Sequence, residues 1–148
     1  MSAEEKQAVL RDWERFLRNM VNGGGQGSER LFTKRLYAHL HLHCSFIAHF
    51  NRMEFFGTYF DNPEDTLRFF TQFDSEHGCR SVELGGDWWL RGDYEDLNSA
   101  MCQSFEAVKA ELIPKLKEKV RKNDVAKAAV LLAKHGLTIA QQVSTDNS

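Results

Sequence analysis

From Ser28 to Phe60 the chain reads SERLFTKRLYAHLHLHCSFIAHFNRMEFFGTYF, with no proline and with apolar residues recurring every three or four positions. At 100° per residue, Phe32, Leu36, His39, His43, Phe46, Ile47, Phe50, Glu54 and Gly57 share a stripe about 100° wide, the face that a helix buries. The pattern predicts one long central helix over about 28–60. Upstream, Leu10, Trp13, Leu17 and Met20 predict a first amphipathic helix over 3–21. Asn22-Gly23-Gly24-Gly25-Gln26-Gly27 ends it. That run lacks the preceding strand and the Gly-Lys-Ser/Thr ending of a phosphate loop, so it reads as a flexible connector. Ser28 then stands as the N-cap of the central helix, with Glu29 at the helix's positive end.

Asn62-Pro63-Glu64-Asp65 combines a cap, a proline at the first helical position and two acids in the first turn. It predicts a helix from Pro63 to about Glu76, with Leu67, Phe70 and either Phe73 or Phe69 inward and His77-Gly78 as its end. Between about 78 and 92 the periodicity lapses, and an irregular segment is expected. Asp93 reads as the cap of a further helix whose apolar line is Leu97, Met101, Phe105, Val108, Leu112 and Leu116. Pro114 is expected to break or kink it. A last helix is predicted from about Asn123 to His135, capped by Gly136, with a frayed tail over about 141–148. The sum is an all-α, single-domain bundle of about five helices around the 28–60 helix.

Composition adjusts this picture only slightly. With 148 residues, 42% hydrophobic and 27% charged, the chain is long enough for one core and too apolar for disorder. No apolar run approaches the roughly 20 residues that span a bilayer, and MSAEEKQAVLRDW has no signal-peptide character, so a cytoplasmic protein without membrane contact is expected. Cys44, Cys79 and Cys102 form no CxxC pair, which removes disulfide-framework and zinc-ribbon readings. The net charge of −2 is unevenly spread: residues 54–96 carry eleven acids against three arginines, and residues 109–134 carry eight bases against three acids. Such polarity suits head-to-tail self-association or an acidic partner, although solvated helix faces give the same counts.

Candidate chemistry centres on His39 and His43, one turn apart on the predicted inner stripe. Neutral imidazoles at that spacing converge on one point and could hold a transition metal, zinc or iron, with further ligands from His77, Cys102, Glu106, Glu111 or His135. The chain has neither the Glu-x-x-His pairs of di-iron bundles nor HExxH. Two core histidines bonded to carbonyls or carboxylates explain the same spacing. Glu54, on the same stripe, calls for a basic partner or a raised pKa. Gly57 leaves room for a second backbone. Arg35 to His41 spells Arg-x5-His, which resembles the loose signature of the HEPN ribonuclease family of helical domains; the resemblance covers seven residues and implies general acid/base cleavage of RNA. Leu36 stands where that family usually has a polar residue, and a regular helix holds Arg35 and His41 about 120° apart. Trp88 and Trp89, with Tyr94, form a candidate aromatic binding platform in a glycine-flanked loop.

The function expected first is a non-enzymatic interaction or assembly module that self-associates or binds a protein partner. It rests on polarised charge, an aromatic content of 11% and a predicted helix too long for its domain. A metal-binding protein or enzyme using His39 and His43 comes second, and an RNA-binding or RNA-processing domain third.

Overall fold

A computed structural model describes residues 2–24, 27–44, 51–74 and 94–138, with the backbone alone at 42–44. Helix α1 (Ala3–Val21) begins at a capping box in which Ser2 accepts from the Glu5 N–H and the Glu5 carboxylate accepts from the Ser2 N–H. It buries Trp13, Leu17 and Met20 of the predicted line, with Val9, Phe16 and Asp12 beside them, while Leu10 is half-buried.

The predicted 28–60 helix is instead three shorter ones: α2 (Ser28–Leu31), α3 (Lys34–Cys44) and α4 (Arg52–Phe60). The breaks have local causes. Thr33 turns its hydroxyl oxygen to the Leu36 N–H at 3.3 Å, restarting the chain as α3. Asn51, extended at φ −154°, accepts from the Glu54 N–H at 2.9 Å and restarts it as α4. Arg52 then reaches back to the end of α2 and donates to the carbonyls of Glu29 at 2.8 Å and Phe32 at 3.1 Å, groups that a terminating helix leaves without partners. Ser28 is not the cap. Gly27 holds that position at φ +90°, while the buried Ser28 hydroxyl accepts from Asn19 at 2.8 Å.

Helix α5 (Pro63–Phe73) starts where the sequence places it, with Asn62 accepting from the Asp65 N–H at 2.9 Å. The expected His77-Gly78 stop, the irregular 78–92 segment and the 141–148 tail lie outside the described residues. Tyr94, and not the expected Asp93, holds the N-cap position of the next helix. Helix α6 (Glu95–Lys134) replaces the two helices expected around Pro114: it runs unbroken for 40 residues, about 60 Å at 1.5 Å per residue. Pro114 is tolerated because it sits on the solvent side, as does Ala110, whose carbonyl loses its helical donor and faces water instead. Gly136, at φ +73°, ends α6: its N–H bonds to the Ala133 carbonyl at 3.1 Å and the Leu137 N–H to the Leu132 carbonyl at 2.7 Å.

The architecture is all-α around one hydrophobic core, with no strand among the described residues and no described helix long and apolar enough to cross a membrane. Helix α6 packs against α1 and α5, and α4 bridges α3 and α5. Eleven aromatic residues are buried in the core, from Trp13 on α1 to Phe105 on α6. Phe70 stacks on Phe105 with centroids 5.3 Å apart, and Phe60 meets Phe16 and Phe69 edge-on at 4.9 and 4.8 Å. The Trp13 indole N–H donates to the Met101 carbonyl at 3.0 Å, tying α1 to α6. The core thus absorbs most of the aromatic content, which gives no separate argument for a sticky surface.

Candidate functional site

His39 lies on α3 against the first turns of α6, 2% exposed. Its Nε2 is 2.6 Å from the side-chain oxygen of Asn98, which is itself fully buried, and the Tyr94 ring meets the imidazole edge-on at 5.5 Å. The contact engages Nε2 with the Asn98 side chain inside the fold. The arrangement locks α3 to α6 through a buried polar contact.

The other proposed ligands do not gather around His39. The side chain of His43 and all of His77 lie outside the described residues. Cys102 is buried in the core one turn beyond Asn98. Glu106 is exposed beside Lys109, at 3.8 Å, and Glu111 beside Lys115, at 2.9 Å. His135 closes the far end of α6, 37 residues and roughly 55 Å from Asn98. Among the described residues no group of three or more His, Cys, Asp or Glu is placed to hold a metal.

Arg35 is committed to a partner that periodicity does not reveal. Asp12, 3% exposed on α1, accepts from Arg35 Nε at 2.5 Å, from Arg35 Nη2 at 3.1 Å and from the Thr33 hydroxyl at 2.6 Å. Burial pushes the Asp12 carboxyl up, but the hydrogen bonds from Arg35 and Thr33, with the charges of Arg35 and Arg15, outweigh it and hold the group below its ordinary value. Thr33 therefore serves two elements, capping α3 while its proton binds α1. His41 faces elsewhere, packing on Tyr37 at 5.4 Å and Phe55 at 6.4 Å. The structure does not bring Arg35 and His41 to one phosphate-sized site. Asp12 falls outside the predicted Leu10, Trp13, Leu17 and Met20 line, about 80° from its nearest member at 100° per residue, so periodicity did not mark it.

Trp88 and Trp89 lie outside the described residues; Tyr94 is half-buried at the start of α6, occupied with His39. Glu54 and Gly57, predicted to face inward, are exposed, because α4 restarts at Asn51 with a new rotational phase. The Glu54 carboxylate accepts from the Asn51 amide at 2.8 Å within the cap.

The second half of α6 is a surface that the core does not absorb. Its buried line ends at Leu116, and no residue from 117 to 138 is buried. Lys119 donates to the Gly23 carbonyl, and Asn123 and Lys127 border a cleft of about 360 Å³ beside Pro63 and Glu64. Beyond that, Val130 is 70% exposed, Leu131 61% and Leu137 57%. Besides Met53 on α4, at 53%, these are the exposed large apolar residues among those described. Residues 115–134 carry seven bases against Glu118 and Asp124. No protein-family model, curated protein or solved structure matches the chain.

Proposed function

We propose that this protein is a non-enzymatic interaction module whose docking element is the projecting second half of α6. The observation that carries the reading is that a basic helix end presents Val130, Leu131 and Leu137 to water while the core is already complete without them. Exposed apolar side chains on an ordered, charged helix suit a partner surface better than they suit solvent. The helix length in excess of the domain that the sequence predicts for 28–60 belongs to α6. Support for catalysis is thinner, since His39 and Arg35 are both engaged in contacts between helices. The test is sedimentation velocity of the full chain between about 1 and 100 µM, the range in which contacts of this kind associate. A sedimentation coefficient rising with concentration is expected; a strict monomer throughout, retaining no partner, would remove the reading.

A further inference from the structure

Gly57 lies mid-helix on the exposed side of α4, and no heavy atom among the described residues comes within 4 Å of the place where a Cβ would stand. Glycine weakens a helix interior relative to alanine, and nothing among the described residues requires it here, since its backbone is ordinary helix. One turn before it stands the exposed Met53, and one turn after it the exposed Asp61. The surface of α4 is therefore a strip of one apolar side chain, one gap and one carboxylate at i, i+4 and i+8.

The end of α6 has the complementary character. Lys127, Val130, Leu131 and Lys134, at i, i+3, i+4 and i+7, share one face, and Ala126 and Ala133 beside them leave the backbone open to close approach. Asp61 and Glu64 are exposed and form no ion pair among the described residues; the same holds for Lys122, Lys127 and Lys134. Pairing two α6 ends would set lysines against lysines, whereas α6 against α4 sets lysines against carboxylates.

Resting on the association reading, we propose that the last turns of α6 dock on α4 of a second copy of this chain, with Val130 and Leu131 against Met53 across the gap at Gly57 and Lys134 at Asp61. Both surfaces belong to every chain, so each copy gives one and receives the other. The glycine then has a reason: a neighbouring helix backbone passes where a side chain would stand.

The experiment is sedimentation velocity of the full chain with three variants, each checked for its melting temperature. Gly57→Gln adds a side chain that meets no described residue of the chain, so it should fold at least as stably as wild type while weakening association tenfold or more. Asp61→Lys should weaken it similarly, and Asp61→Lys combined with Lys134→Asp should restore most of the loss. A wild-type chain that associates while Gly57→Gln and the charge exchange leave its affinity unchanged would overturn the α4 docking site and leave the association reading standing. A wild-type chain that stays monomeric would overturn both.

Discussion

Residues 95–116 and 117–134 belong to one continuous helix, yet the first part buries Leu97, Met101, Phe105, Leu112 and Leu116 while the second buries nothing. Different physics holds each. The first part is ordered by packing on α1 and α5 and by the Trp13 hydrogen bond to Met101. The second needs no nucleus, because it propagates from turns already formed, and propagation is nearly free for the Ala, Lys and Leu residues that fill it. The Glu118–Arg121 pair at 2.7 Å and the two bonds around Gly136 finish it. One helix can thus be structural at one end and available at the other, and mutations in the two parts should separate folding from association.

The largest effect should come from the packed part. Phe105→Ala removes the ring stacked on Phe70 and is expected to cost about 4 kcal/mol, read by urea denaturation. An unchanged midpoint would mean that α6 is not the wall of the core.

Asp12→Ala should cost about 2 kcal/mol, below the value for a fully buried ion pair because the Arg35 side chain is 56% exposed and water can take it over. The pH dependence has a definite sign. The folded carboxyl titrates below its unfolded value of roughly 3.9, so its contribution is complete above that pH and is lost as pH falls through the lower folded value. Wild type should therefore lose stability more steeply below about pH 4 than Asp12→Asn does. Parallel acid melts would show that the Arg35 contact contributes nothing.

His39→Ala should destabilise by about 1 to 3 kcal/mol, by opening a cavity and stranding Asn98. Metal content measured on the same purified variant should equal that of wild type. Metal present in wild type and lost with His39 would restore the ligand reading.

Gly57→Ala should be stabilising, by about 0.5 to 1 kcal/mol, because the added methyl group meets nothing among the described residues and improves the helix. A melting temperature below that of wild type would mean that the position is already filled within the chain.

Much of this was legible in the sequence, and what was not had specific causes. The 3–21 helix, the Asn62-Pro63 start and the Gly136 stop each carry a local chemical signal beside their periodicity, and each stands where it was expected. The 28–60 stretch misled because its apolar stripe continues in phase through Phe46, Ile47 and Phe50 to Gly57, whereas the chain restarts as α4 at Asn51 and buries Phe55, Phe56, Tyr59 and Phe60 instead. The capping residues Thr33 and Asn51 were the contrary signal, since each side chain offers the backbone an alternative to continuing the helix. Pro114 misled in the opposite direction: the rule that proline breaks helices weakens where the freed carbonyl faces water. His39 was correctly placed in the interior, but its partner Asn98 is 59 residues away, a pairing that no local pattern encodes.

The claim that α6 divides into a folding part and a docking part meets its most direct test in the double variant Val130→Gln/Leu131→Gln, which keeps good helix formers and removes only exposed apolar surface. Sedimentation velocity and a thermal melt on the same sample give both readings. The account predicts an unassociated chain whose melting temperature stays within about 2 °C of wild type, a stability change under roughly 0.5 kcal/mol. A melting temperature lowered by 10 °C or more, or association left at the wild-type level, would contradict it.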